Sequence, residues 1–160
     1  MKKGVSLAML VLIGLISLYS FIPQVFAKNT SSAETAEEFV EWFINLAIAE
    51  DEEALRTSLA DDFVYRDERS SLKEYHFEFD AELYLIGVLS DWESLETLDI
   101  KIVRIRTNNS GQSGVVSVSA YFDVWLRDDY GIMGPLRQVY HFELIQKDNR
   151  WLISKLTWAA

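Results

Sequence analysis

The feature that most restricts what this chain can become is the run from Leu136 to Trp158, two apolar-rich stretches joined at Asp148-Asn149. Such a pair of residues is a tight-turn signal, and a two-residue loop sets the pairing of the strands on either side. Side chains alternate across a strand. Gln138, Tyr140, Phe142 and Leu144 therefore share one face, and Val139, His141, Glu143 and Ile145 share the other. Counting outward from the turn without interruption sets Leu144 opposite Ile153, Phe142 opposite Lys155 and Tyr140 opposite Thr157. On the second face Ile145 meets Leu152, His141 meets Leu156 and Val139 meets Trp158. Both faces carry large apolar side chains, so this hairpin belongs inside a sheet with cover on at least one side.

The rest of the chain supplies that sheet and its cover. Ala36, Phe39, Val40, Phe43, Ile44 and Ala47 recur at helical spacing, and Ser31 with Glu34 or Thr35 with Glu38 offers a capping box ahead of them. A short helix is expected from Asp51, ending at Ala60-Asp61-Asp62, then a short strand over Phe63 to Arg66 and an irregular stretch over Asp67 to Tyr75. A third helix, from about Phe79 to Leu89, is expected to bury Leu83, Ile86 and Tyr84. Everything after Asp91 reads as sheet. Leu98 to Thr107 and Val115 to Arg127 form strands, with a turn at Asn108 to Gly114 and a loop at Asp128 to Pro135. In the second of these strands Val116, Val118, Ala120, Phe122, Val124 and Leu126 make an apolar face, leaving Tyr121 and Trp125 opposite. Helices first and a long meander afterwards is an α+β pattern: three N-terminal helices packed in the concave face of a curved, mainly antiparallel sheet.

Residues 1–27 stand apart. Lys2 and Lys3 precede an apolar run from Val5 to Ile22, and Pro23 with Val25-Phe26-Ala27 follows it, which is a secretory signal peptide cleaved after Ala27. The alternative is an uncleaved membrane anchor. A polar lead over residues 28–32 then opens one domain, 33–160, exported to a periplasmic or extracellular space. There are no cysteines, so neither a lipid-modified cysteine nor a disulfide is available. Without the signal the chain carries 13 basic and 25 acidic residues, a formal charge of −12. Between Lys28 and Asp99 there are 5 basic and 20 acidic residues, and from Ile100 onward 8 basic and 5 acidic. No Lys/Arg stripe is present to neutralise phosphates, which excludes nucleic acid as a partner.

The sequence Tyr-His-Phe-Glu-Leu-Ile, a turn, then Arg-Trp-Leu-Ile resembles the last hairpin of the nuclear transport factor 2-like (NTF2-like) superfamily, which includes ketosteroid isomerases and SnoaL-type cyclases. Ala-Glu-Asp-Glu-Glu-Ala-Leu ahead of Ala-Asp-Asp-Phe adds to the likeness, which spans Ala33 to Trp158. The resemblance implies a cone of helices and sheet. For ketosteroid isomerases it implies a general-base aspartate at the position of Asp67, and oxyanion donors at the positions of Phe43, which has no hydroxyl, and Tyr140, which has one. The competing role for Asp67 is a loop carboxylate paired with Arg66 or Arg69.

No cofactor or metal site is expected: the only histidines, His76 and His141, lack a partner at ligand spacing, and no nucleophile elbow is present. His141 is expected on the outer face beside Leu156. A pocket between helices and sheet is the stronger expectation, with Gln138, Tyr140, Lys155 and Thr157 as its polar group and Phe43 and Tyr65 among its apolar walls, suited to a small amphipathic ligand. The alternative for Tyr140 and Lys155 is an open rim where they reach water. A homodimer is expected on the outer sheet face, through Tyr121, Trp125, Val139, Leu156 and Trp158. Three functions are consistent with these residues: a non-catalytic binder of a small ligand or a protein partner, an isomerase, dehydratase or cyclase using Asp67, and a membrane-tethered assembly subunit resembling the VirB8 periplasmic domain.

Overall fold

A computed structural model describes residues 35–70, 72, 74, 76–108 and 113–159. The signal segment, the polar lead and the capping pair Ser31 and Glu34 lie outside them. In chain order the elements are α1 (Ala36–Ala49), α2 (Glu52–Thr57), β1 (Leu59–Glu68), β2 (Phe77–Phe79), α3 (Ala81–Ser94), β3 (Glu96–Asn108), β4 (Val115–Asp128), β5 (Gly131–Lys147) and β6 (Arg150–Ala159). The strands form one six-stranded sheet in the order β2-β1-β6-β5-β4-β3. All neighbours are antiparallel except β1 with β6. The α+β cone expected from the element order is the fold observed.

Local chemistry starts and stops the helices. Thr35 and Glu38 close the capping box of α1, and Glu50 ends the helix in the left-handed region. Asp51 caps α2 by accepting from the Ala54 N–H at 2.9 Å, and Asp80 caps α3 by accepting from Leu83 at 3.0 Å. Because that cap sits at Asp80, α3 begins later and runs to Ser94 rather than Leu89. Its buried face is then set by Tyr84, Leu85, Val88 and Trp92, while Leu83 and Ile86, expected inside, are 55% and 61% exposed.

Phe39 and Val40 of α1 are fully buried in a core shared with Val118, Phe142, Leu144, Ile153 and Leu156. Phe43 meets Phe142 edge-on at 5.9 Å.

Several strands are longer than expected, β1 and β5 most of all. The stretch Ala60-Asp61-Asp62 belongs to β1, whose register against β6 slips between Leu59, opposite Ile153, and Val64, opposite Lys155. Asp128 to Pro135 is not a loop either: Asp128 accepts from the Tyr130 and Gly131 N–H groups at 2.8 and 3.0 Å, closing a turn so short that β5 begins at Gly131.

The final hairpin turns where expected, with Asp148 and Asn149 both at positive φ. Pairing follows the uninterrupted count as far as Leu144 with Ile153 and then slips, because Glu143 faces Lys155, Phe142 faces Leu156 and Tyr140 faces Trp158. Ser154 is the extra residue, and its hydroxyl donates to the Glu143 carbonyl at 3.0 Å. This bulge exchanges the two faces of β6 beyond it. Lys155 and Thr157, expected inward, lie on the outer face opposite Glu143 and His141. Leu156 and Trp158, expected at an outer interface, lie on the inner face. Of the five residues assigned to the outer apolar patch, Tyr121, Trp125 and Val139 stay there, beside the exposed Arg137–Asp123 ion pair.

Candidate functional site

The inner face of the sheet and the helices enclose a cavity of about 220 Å³. Phe43, Ile44 and Ala47 of α1 form one wall, and Tyr84, Val88, Asp91 and Trp92 of α3 form another. The floor comes from the sheet: Ile100 of β3; Phe122, Val124 and Leu126 of β4; Gln138, Tyr140 and Phe142 of β5; Leu156 and Trp158 of β6. Val124 and Leu126 both reach it because residues two apart on a strand share a face, and the extra residue at the register slip between them lies on β5. The cavity is at the small end of ligand pockets, which run to about 300–1,000 Å³.

Aromatic rings cross the floor as a continuous stack. Phe122 lies 5.6 Å from Tyr140 and Tyr140 lies 5.7 Å from Trp158, both pairs nearly parallel. The Arg69 guanidinium closes the stack 3.4 Å over the Trp158 ring. A second group of rings flanks it, with Tyr65 stacked on Tyr84 at 5.1 Å and on Phe79 at 5.9 Å. Burial pushes the phenols of Tyr65, Tyr84 and Tyr140 well above their ordinary range, so all three keep their protons at neutral pH.

The cavity's polar groups are few. Gln138 presents a buried Oε1 with no hydrogen-bond partner. Asp91 is the one charged residue of the wall and sits at its solvent side, where partial burial pushes its carboxyl upward. Tyr84, Thr97 and Tyr140 add hydroxyls.

Asp67 is engaged elsewhere. Its carboxylate accepts from Arg69 Nε at 3.0 and 3.1 Å, from Nη2 at 2.5 Å and from the Arg69 N–H at 3.1 Å. These bonds hold its carboxyl below the ordinary carboxylate range. Arg66, the other partner considered for it, bonds Glu68 and Glu78 instead.

Of the residues read from sequence as a ligand site, the fold brings Gln138, Tyr140 and Phe43 to the cavity wall. Tyr65 stands behind Tyr84, and Lys155 and Thr157 are on the far side of the sheet. Sequence reasoning missed Asp91, Trp92 and Trp158 as wall residues. The helical spacing of Tyr84, Val88, Asp91 and Trp92 was the signal for the first two.

The histidines stand apart from this wall. His141 Nδ1 shares a hydrogen bond with Ser119 Oγ at 2.8 Å, opposite Thr157 rather than beside Leu156. His76 Nε2 lies 2.8 Å from the Ser70 carbonyl. Among the described residues no cluster of three or more His, Asp or Glu could hold a metal, and no helix is long and apolar enough to cross a membrane.

No family model and no curated protein matches the sequence. Solved structures do match in fold. An NTF2-like protein from Cytophaga hutchinsonii superposes with a TM-score of 0.57 at 13% identity, over 73% of this chain and 88% of its own. A candidate ketosteroid isomerase from Shewanella frigidimarina gives 0.54 at 18%, over 74% and 89%. ActVI-ORFA from Streptomyces coelicolor gives 0.56 at 12%, over 74% and 89%. At these identities the likeness is one of fold.

Proposed function

With the NTF2-like fold as the premise, we propose that this chain is an exported domain that binds a small amphipathic molecule in its cavity and performs no chemistry on it. The observation that carries the reading is the wall itself: apolar and aromatic over most of its extent, with one buried acceptor, Gln138 Oε1, left without a partner. A buried acceptor costs free energy until a donor reaches it, and a ligand that enters with an O–H or N–H supplies one.

The catalytic alternative takes its substrate class from the isomerase named for the Shewanella neighbour and requires Asp67 as base. Three features speak against it. The carboxylate is clamped by Arg69, its pKa is lowered where a base for a carbon acid gains from being raised, and Phe43 lacks the hydroxyl of an oxyanion donor. Export rests on the signal-like segment, and mass spectrometry of the native protein with Lys28 as first residue is the expected result.

Binding is tested by titrating the purified protein with p-cresol and cyclohexanol while following tryptophan emission, since Trp92 and Trp158 line the wall. Saturable binding that Ala47→Phe removes, by filling the cavity from α1, is expected. Failure of both probes to bind at millimolar concentration, or binding indifferent to the substitution, overturns the reading. Turnover of any substrate that is lost in Asp67→Asn would establish the enzyme instead.

A further inference from the structure

The residues around the cavity select among the amphipathic molecules that fit it. Among the wall residues there is no Lys, Arg or His, and one carboxylate, that of Asp91. Among the described residues no hydrogen-bond donor or cation pairs with that carboxylate. The nearby guanidinium, Arg69, is committed to Asp67 through its edge and to Trp158 through its face. An anionic ligand would meet Asp91 and no free cation.

A neutral apolar ligand would leave two acceptors, the Asp91 carboxylate and Gln138 Oε1, as they are. A cation would find both of them, with the Trp92 ring next to Asp91 in the same wall, while the faces of Tyr140 and Trp158 are already taken up by the stack and by Arg69. The acidic half of the chain, with 20 acidic and 5 basic residues between Lys28 and Asp99, adds a field that draws cations toward the molecule.

We propose, resting on the reading of the cavity as a ligand site, that its ligand is a small aromatic or alicyclic amine, bound with its ring on the aromatic floor and its ammonium donating to Asp91 and to Gln138 Oε1. A primary ammonium has three N–H donors, enough for both acceptors and one water. The cavity volume restricts the ring system to one ring with a short arm.

The test is a ladder of three probes of one shape, benzylamine, benzyl alcohol and benzoate, titrated calorimetrically into the purified protein at neutral pH and low salt. Benzylamine should bind about tenfold tighter than benzyl alcohol, the usual advantage of a charge-assisted hydrogen bond, and benzoate weakest of all. Asp91→Asn should bring the amine down to about the affinity of the alcohol, with an unchanged urea-unfolding midpoint reporting that the variant is folded. If that variant does not fold, the order of the three probes on the unsubstituted protein decides alone.

Alcohol bound as tightly as amine, or benzoate bound tightest, overturns the amine assignment and leaves the cavity reading intact. No binding by any of the three overturns both. Amine binding that survives Ala47→Phe, or that Asp91→Asn leaves unchanged, is attraction to the acidic surface or to another group and also overturns the assignment.

Discussion

Replacing Arg69 by Met tests how the open end of the sheet is held, because it keeps a stem of similar length and removes only the guanidinium. Two interactions are lost. The guanidinium lies 3.4 Å over Trp158, and a cation–π contact at a solvent-exposed site is worth about 0.5–1 kcal/mol. It also forms the two-pronged pair with Asp67, in which Arg69 is 50% exposed and Asp67 16%. Exposed ion pairs contribute about 0.2–1 kcal/mol, and this one falls toward the upper end because its geometry is bidentate and its carboxylate mostly covered. Together they predict a loss of about 1–2 kcal/mol at pH 7.

The two parts separate by pH. Asp67 is held below its ordinary range chiefly by Arg69, so the ion-pair part is fully present above the unfolded carboxyl value, about pH 4, and is lost as pH falls through the lower folded value. Arg69 stays charged throughout, so the ring contact persists. Urea unfolding followed by tryptophan emission should therefore show the full gap between the two proteins at pH 7 and roughly half of it at the acid end. A gap that is the same at both pH values would refute Asp67 as the partner, and a gap near zero at pH 7 would refute the ring contact as well.

Three further outcomes follow from the packing. Leu144 is fully buried opposite Ile153, so Leu144→Ala should lower unfolding free energy by about 2–5 kcal/mol in the same urea assay. Gly134 has φ near +136°, and a Cβ there would lie 2.8 Å from the Val124 carbonyl oxygen, so Gly134→Ala should cost about 1–3 kcal/mol, and a cost near zero would mean β5 does not approach β4 so closely. Deleting Ser154 removes the bulge but keeps Phe142 opposite Leu156. The shortened chain should still unfold cooperatively, with Trp158 as protected from iodide quenching as in the parent, whereas an exposed Trp158 would show that the bulge alone turns it inward.

The parts of the fold that a periodic pattern encodes were readable, and those that one inserted residue decides were not. In α1, Ala36, Phe39, Val40, Phe43 and Ile44 repeat at helical spacing behind Thr35 and Glu38, and that helix, its cap and its buried face are as the pattern requires. The clean alternation of β4 likewise predicts its buried side. By contrast, the stretch Arg-Trp-Leu-Ile-Ser-Lys-Leu-Thr-Trp alternates well enough in either phase that nothing in it marks Ser154 as the residue to be passed over. A slip of one residue carries every later side chain to the other face. For that reason Lys155 and Thr157 exchanged places with Leu156 and Trp158, and the same slip took two members away from the apolar patch expected on the outer face.

The site follows from that exchange. With Lys155 inward the cavity would carry a cation beside Tyr140, a setting for an anion or a developing oxyanion. With Trp158 inward it carries a ring in that row, stacked on Tyr140 and capped from outside by Arg69. The net effect is to leave Asp91 as the one charge in the wall. Asp91 belongs to a helix that ends five residues later than its apolar spacing predicted. Its last turns therefore reach the rim of the cavity, bringing a carboxylate that the shorter helix would have left outside. Both changes move the cavity's preference in one direction, away from anions and toward hydrogen-bond donors and cations. Neither could be inferred from composition, because the residues are the same in either arrangement and only the phase of one strand and the length of one helix distinguish them.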